Sequence, residues 1–156
     1  FIPIKKEIDY IRSYMEIMSY REYSNFTTLY EVQPGVEDSL VPKLILQPLV
    51  ENALIHGIQN KNGEGQIVVR VTGDESSIYI TIIDNGQGIS PDVLPTILER
   101  KSTDDGPCLS GIGLSNVNER IKMLFGDQYG LFIESIYQMY TTVEVVLPNL
   151  KGEIDS

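Results

Sequence analysis

Several residue types are scarce in this chain, and each scarcity excludes a class of protein. One cysteine, Cys108, leaves no pair for an internal disulfide, and one cysteine with one histidine cannot form a tetrahedral zinc site. Lysine and arginine number 12 against 22 acidic residues, and the net charge of -10 argues against nonspecific binding of DNA, RNA or anionic lipid. No hydrophobic run approaches the roughly 18 residues that a membrane crossing needs. Any phosphate group that the chain binds must therefore be held by local contacts.

The composition that remains is typical of one globular domain. The 156 residues are 42% hydrophobic and 22% charged, which is enough for a sizeable core. The chain opens with Phe-Ile-Pro instead of methionine and shows no secretory signal peptide. We therefore interpret it as a cytosolic fragment of a longer protein.

Hydrophobic residues at helical spacing predict a first helix over residues 4–23. They form one stripe made of Ile4, Ile8, Ile11, Met15 and Met18. Such a stripe either packs on its own domain or forms the seam of a helical dimer or stalk. The sequence leaves both possibilities open.

Alternation, helical periods and turn residues predict the other elements. Strands are expected at 27–33, around 67–71 and 78–82, and at 130–136 and 141–147. Helices are expected at 42–58 and 112–125, with Pro48 either kinking the first of them or lying close to its true start. Residues 85–111 are rich in glycine and proline, which predicts a long connection with room for one short helix.

The stretch "LVENALIHG", residues 49–57, places polar groups in a mostly hydrophobic helix. On a helical wheel of about 100° per residue, Asn52 and His56 share the flank of the core stripe, whereas Glu51 turns toward the polar side. The helix would thus present an amide and an imidazole at the border of a cavity. Alternatively, Asn52 only satisfies a neighbouring backbone group.

The stretch "IYITIIDNGQGI" places a carboxylate on the buried face of a predicted strand. Because side chains alternate along a strand, Asp84 points the way that Ile80 and Ile82 do. Gly86 and Gly88 follow directly, and glycine backbone can turn tightly and approach a ligand closely. The simpler alternative is a plain turn in which Asp84 caps its own loop.

A third element, "SGIGLSNVNER", puts Gly111 and Gly113 directly before a predicted amphipathic helix. Free N–H groups at a helix N-terminus bind anions without a basic field. Taken singly, each Gly-x-Gly is weak evidence for a phosphate site, since neither continues to the third glycine of a dinucleotide-binding fold and no P-loop exists in the chain.

Together and in this order, the three elements resemble the GHKL ATP-binding superfamily, which includes gyrase, MutL, heat-shock chaperones and histidine kinases. "LVENALIHG" is similar to its N box, "DNGQGI" to its first glycine box and "SGIGL" to its second. More narrowly, "LVPKLILQPLVENALIHGI" and "GIGLSNVNERIKMLFG" resemble the sensor histidine kinases of the LytS and YesM type, over nearly the whole chain. The resemblance implies an α/β two-layer sandwich, with a mixed, mostly antiparallel sheet, helices on one face, and ATP between helices and a lid.

The resemblance also implies a division of the chain and a set of partners. Residues 1–25 would be a helix leading from a dimerisation and phosphoacceptor segment outside the chain, residues 26–150 the ATP-binding catalytic domain, and residues 151–156 a tail. The parent would be a dimeric sensor anchored in a bacterial membrane, with this domain in the cytoplasm. A response regulator would be its partner, and no nucleic acid partner is expected.

Residue roles follow from the same resemblance. Asn52 would ligate the Mg²⁺ that bridges the ATP phosphates, and Asp84 would accept a hydrogen bond from the adenine amino group. His56 would lie beside the nucleotide or bond within the helix flank. The two glycine boxes would supply backbone contacts through Gly86, Gly88, Ile89, Gly111, Ile112, Gly113 and Leu114.

Other roles stay open in the sequence. Residues 90–110 would be the lid, in which Lys101, Ser102 and Thr103 either reach the γ-phosphate or are only solvated. Arg120 could contact ATP or pair with a nearby acidic residue.

Two departures from the superfamily pattern bear on activity. The ATPase members carry a glutamate one helical turn before the asparagine, where this chain has Pro48, so the pattern favours transfer of the phosphoryl group over hydrolysis. The late Gly-x-Gly-Thr of the superfamily reads Gln138-Met139-Tyr140-Thr141 here, so from that turn only Thr141 would contact the nucleotide. A degenerate nucleotide-binding module that acts mainly in dimer or response-regulator contacts is the alternative, and a chaperone-like or repair-type ATPase a third possibility.

Overall fold

The computed structural model describes residues 1–21, 25–58, 64–99 and 112–151. Its helices are α1 (Ile4–Ser19), α2 (Leu46–Asn52), which continues as a π-helical turn (Ala53–Ile58), a 3₁₀ segment (Leu94–Glu99) and α3 (Ile112–Phe125). Its strands are β1 (Ile2–Pro3), β2 (Phe26–Val32), β3 (Ser39–Val41), β4 (Gly65–Gly73), β5 (Ser77–Asp84), β6 (Gly130–Ile136), β7 (Tyr140–Pro148) and β8 (Leu150–Lys151). Within these residues no helix has the length and hydrophobicity to span a bilayer.

The main sheet has the strand order β2-β4-β5-β7-β6, in which β2 and β4 are parallel and the other pairs antiparallel. Alternate residues point toward the helices and are buried: Ile67, Val69, Val71, Ile78, Ile80, Ile82, Val143, Val145 and Leu147. The opposite face carries exposed side chains such as Leu29 and Phe132. The predicted α/β two-layer sandwich, with a mixed, mostly antiparallel sheet and helices on one face, is confirmed.

A small second sheet of order β1-β3-β8 was not predicted. Its strands are two or three residues long, too short to show an alternating pattern in the sequence. Lys151, the first residue of the expected tail, pairs with Ser39 in this sheet. The Ser39 hydroxyl also donates to Asn149 Oδ1 at 2.8 Å.

Helix α1 packs on its own domain. Ile4, Ile8, Ile11 and Met15 are buried in the common core, which decides between the two roles left open for this stripe. The helix ends at Ser19 instead of residue 23, because the N–H groups of Tyr20 and Arg21 bond three residues back in a tightened last turn.

The second predicted helix begins four residues later than expected. Residues 39–41 form β3, and Leu44 has the left-handed φ of 61°, so Pro42 cannot be in the first turn. Helix α2 starts at Leu46, which puts Pro48 in the first turn, where a missing N–H is tolerated. Of the two possibilities for Pro48, the position near the true start is correct.

Candidate functional site

Asp84 is a buried carboxylate at the end of a central strand. It is 3% exposed and lies between Ile67 of β4 and Thr141 of β7 in the register of the sheet. Its Oδ1 accepts a hydrogen bond from the N–H of Gly86 at 2.9 Å. A buried carboxylate is costly unless hydrogen-bonded, and the turn that follows the strand supplies such a bond. The loop-capping contact and the predicted inward direction of Asp84 are therefore both present.

The π-helical turn after α2 lies directly against this carboxylate. A methyl group built on Gly57 would come within 2.6 Å of Asp84 Oδ1, and one built on Gly86 would collide with the backbone of Gly57. The Gly57 carbonyl accepts from the N–H of Gln87 at 3.0 Å, and the Gln87 side-chain amide donates to the carbonyl of His56 at 2.8 Å. Two glycines thus allow the first two predicted elements to meet backbone to backbone.

Asn52 and His56 lie on either side of the change from α- to π-helix. Asn52 is the last residue of α2, and both side chains are partly buried. The wheel of 100° per residue does not extend across this junction, because a π-turn bonds i to i+5. Burial lowers the pKa of His56, which favours the neutral imidazole. Single π-turns in helices are frequent at functional sites.

A chain of hydroxyl contacts extends the site across β7 to β6. Thr141 is 4% exposed, and its Oγ1 lies 2.9 Å from the Ser135 hydroxyl. Ser135 donates its single hydrogen to the carbonyl of Tyr140 at 2.8 Å, so Thr141 donates to Ser135. The N–H of Ile89 also donates to Ser135 Oγ, at 2.8 Å. The sequence did not single out Ser135; its position opposite Thr141 emerges only from the strand register.

The altered turn before Thr141 packs on the first glycine loop. Gln138 has a φ of 65° at the tip of the β6–β7 hairpin, and its N–H donates to the carbonyl of Gln87. Gly88 has a φ of 69°, and a side chain there would collide with the carbonyl of Ile136. Hairpin and loop support each other, which gives Gln138 a structural role.

The third predicted element reaches α2 one helical turn before Asn52. A methyl group on Gly113 would lie 3.5 Å from Cβ of Pro48, an ordinary van der Waals distance. Leu114 is fully buried. Ile112 is the first residue of α3, whereas Gly111 lies outside the described residues, as do Lys101, Ser102, Thr103 and the rest of the expected lid beyond residue 99.

Arg120, which the sequence left open between ATP and an acidic partner, donates from Nη1 to the backbone carbonyl of Lys43. It therefore links α3 to the segment before α2. Glu51 accepts from the side-chain amide of Gln47 at 3.0 Å, one turn earlier on the same helix.

Comparison with known proteins supports the resemblance drawn from the three elements. Residues 37–151 match the family described as histidine kinase-, DNA gyrase B- and HSP90-like ATPases. The sensor protein LytS of Bacillus subtilis strain 168 is 34% identical over 152 residues, which are 94% of this chain and 24% of LytS. The sensor histidine kinase YpdA of Escherichia coli K12 is 35% identical over 155 residues, which are 99% of this chain and 26% of YpdA. The sensor histidine kinase YesM of B. subtilis is 31% identical over 147 residues.

Solved structures show the same fold at low sequence identity. The catalytic domain of the histidine kinase ThkA superposes with a TM-score of 0.71 at 13% identity, covering 96% of each chain. The mycobacterial sensor histidine kinase MprB gives a TM-score of 0.64 at 20% identity, covering 94% of this chain and 97% of that one. The chain spans about a quarter of the length of the curated relatives that it matches. By its family match and its similarity to the LytS and YesM sensors, the chain belongs to the histidine kinase-, DNA gyrase B- and HSP90-like ATPase family.

Proposed function

We propose that this chain binds ATP with Mg²⁺ and acts as the catalytic domain of a sensor histidine kinase. It would position the γ-phosphate for transfer to a histidine outside residues 1–156. The observation that carries the proposal is the meeting of three elements: Gly57 lies against Asp84 and Gly86, while Pro48 on the same helix lies against Gly113. The family match and the sensor kinases among the relatives support it.

Asp84 is suited to select adenine. Its carboxylate can accept a hydrogen bond from an exocyclic amino group, whereas guanine presents a carbonyl at the same place. The carboxylate is held by the Gly86 N–H at 2.9 Å and flanked by the buried Thr141. Gly57 and Gly86 leave room for Asp84 to keep this position, since any side chain on either would displace it or the neighbouring backbone.

The side chains present fit a magnesium ion that is bound mainly through the nucleotide. No group of three or more His, Cys, Asp or Glu side chains that could form a protein cage occurs within the described part of the chain. Mg²⁺ usually keeps several waters and takes one or two protein oxygens besides phosphates, and the Asn52 carboxamide at the end of α2 can supply one. Bound there, the ion would neutralise charge on the phosphates.

The residues around Asn52 favour phosphoryl transfer over hydrolysis. Pro48 occupies the turn before Asn52 and cannot act as a base, and Glu51 is engaged with Gln47. In the transfer, a histidine ring nitrogen would bond to the γ-phosphorus as the bond to the β,γ-bridging oxygen breaks, leaving ADP. The sole histidine of this chain, His56, is assigned to the nucleotide site in this proposal, so the acceptor would lie in another segment.

The sensor names of the relatives suggest the setting. We infer a dimeric, membrane-anchored full-length protein whose dimerisation segment carries the phosphoacceptor histidine. A response regulator would receive the phosphoryl group. His56 contacts with the nucleotide, backbone contacts from Gly88, Ile89, Gly111, Ile112, Gly113 and Leu114, and lid contacts from residues 90–110 belong to the same proposal.

Calorimetric titration with ATP tests the proposal. We expect binding that strengthens when Mg²⁺ is added and is lost in Asp84→Asn. Asp127→Asn makes the same chemical change at an exposed site, and this variant should bind ATP as the unsubstituted chain does. With γ-labelled ATP the chain alone should take up no stable label. Absence of binding by the parent chain would favour the degenerate module instead.

A further inference from the structure

Glu7 is a buried carboxylate that joins two helices. It lies in the first turn of α1 and is 2% exposed. Its oxygens accept hydrogen bonds from three consecutive backbone N–H groups, those of Leu44 at 2.7 Å, Ile45 at 3.1 Å and Leu46 at 3.1 Å. The partners are 37 to 39 residues away in sequence, so the contact is tertiary.

These three N–H groups are the entry to α2, where a helix lacks partners of its own. The N-cap residue, Ile45, has no side chain that can cap the helix, and Pro48 has no N–H. Glu7 thus supplies the missing cap from another helix, with a charge of the sign that a helix N-terminus favours. A buried carboxylate without hydrogen bonds is unfavourable in free energy, so separating α1 from the start of α2 would destabilise the fold.

The same entry segment is also held by α3. Arg120 donates to the carbonyl of Lys43, next to the three N–H groups that Glu7 binds, and Pro48 lies against Gly113. The seven residues of α2 then rise about 10 Å to Asn52 as one rigid rod. A shift of α1 at Glu7 would pull the start of α2 against its contacts with α3, and Asn52 at the other end of the helix would move with it.

We propose that Glu7 is a positioning residue of the nucleotide site, which couples the placement of α1 to the magnesium-binding end of α2. The inference rests on the proposed binding of ATP with Mg²⁺. Adenine recognition depends on Asp84 and the turn after β5, which Glu7 does not touch. Loss of this coupling should therefore weaken the magnesium-dependent part of the ATP affinity and leave the magnesium-independent part unchanged.

Glu7→Gln tests this coupling in the 156-residue chain. The variant keeps the length of the side chain but removes the charge and turns an NH₂ group toward backbone N–H donors. We expect ATP affinity with Mg²⁺ to fall about ten-fold, and affinity in EDTA to change less than about two-fold. Glu16→Gln makes the same change at an exposed position of α1 and should alter neither.

The outcomes separate this inference from the function on which it rests. Equal losses with and without Mg²⁺, or no loss, in a Glu7→Gln protein that remains folded by circular dichroism would overturn the role of Glu7 alone. Failure of the parent chain to bind ATP with Mg²⁺ would overturn the proposed function and this inference with it.

A second measurement needs no variant, so it holds even if Glu7→Gln does not fold. Coupling between two sites is reciprocal. ATP with Mg²⁺ should slow amide hydrogen exchange at Leu44, Ile45 and Leu46 in the parent chain more than ATP in EDTA does. Equal exchange rates in the two conditions would contradict the coupling.

Discussion

Replacing Gly57 by alanine should weaken both the fold and nucleotide binding, although alanine is the better helix former. In a helix interior alanine gains about 1 kcal/mol over glycine. Here the new methyl group would lie 2.6 Å from Oδ1 and 2.8 Å from Cγ of Asp84. Asp84 cannot swing away freely, because it is 3% exposed and bonded to the Gly86 N–H. Overpacking of this kind costs about 1–3 kcal/mol, so the net loss of stability should be about 1 kcal/mol.

The displaced carboxylate should also lower ATP affinity. A hydrogen bond to a charged group contributes about 1.5–3 kcal/mol, which corresponds to a loss of about ten-fold or more. Urea denaturation measures the first effect and calorimetry the second. Gly113→Ala is the matched control for stability, since its methyl group meets Pro48 at an ordinary 3.5 Å and should leave the free energy of unfolding unchanged or raise it by up to about 1 kcal/mol. If Gly57→Ala were as stable as Gly113→Ala and bound ATP like the parent, the close contact with Asp84 would be wrong.

Three further predictions concern hydrolysis, pH and packing. Steady-state ATP hydrolysis by the chain should be slow and unchanged in Glu51→Gln, because that side chain is engaged within its own helix; a marked drop in phosphate release would identify Glu51 as a base. Burial lowers the pKa of His56, so the unfolded chain binds a proton more readily, and the free energy of unfolding should fall as pH drops below about 6.5. Denaturation of His56→Gln between pH 7 and pH 5 should show a smaller fall, and an identical pH dependence would count against the shift. Asn118→Ala should lower the free energy of unfolding in urea by about 1–3 kcal/mol, because Asn118 Oδ1 accepts a hydrogen bond from a buried backbone N–H of β6 at 2.9 Å. Asn116→Ala, at an exposed position of the same helix, should leave it unchanged. Equal stability of the two variants would refute the role of Asn118.

The sequence predicted long elements with a regular period and missed short ones held by tertiary contacts. Strands β4, β5 and β7 carry buried isoleucine and valine at every second position, so alternation alone located them. The three strands of the small sheet have too few residues for any pattern. Their pairing joins segments far apart in the sequence, and the Ser39 hydroxyl donates to Asn149 Oδ1 across a separation of 110 residues.

The start of α2 shows why helix boundaries are difficult to derive from sequence. Pro42 resembles a first-turn proline, but the cap comes from Glu7, a residue on another helix. On a helical wheel Glu7 lies about 60° from the centre of the hydrophobic stripe and the exposed Glu16 about 120° from it. The wheel thus places Glu7 at the border of the core, but it does not reveal its partners, which are 37 to 39 residues away.

The sequence predicted the residues of the candidate site but not the contacts that hold them in place. Asp84 was placed on the buried face from parity alone, and the order of the three glycine and asparagine elements led to the family. Ser135 and the contact between Gly57 and Asp84 could not be predicted, because they depend on strand register and on a π-turn. Neither feature leaves a periodic trace in the sequence.

If three separated segments form one site for ATP with Mg²⁺, all three must respond to the nucleotide together, which a heteronuclear NMR titration measures. The amide signals of Gly57, Gly86 and Gly113 report on the three segments separately. All three signals should shift together and saturate with a single dissociation constant as ATP and Mg²⁺ are added. Shifts confined to one segment, or different dissociation constants for the three glycines, would contradict it.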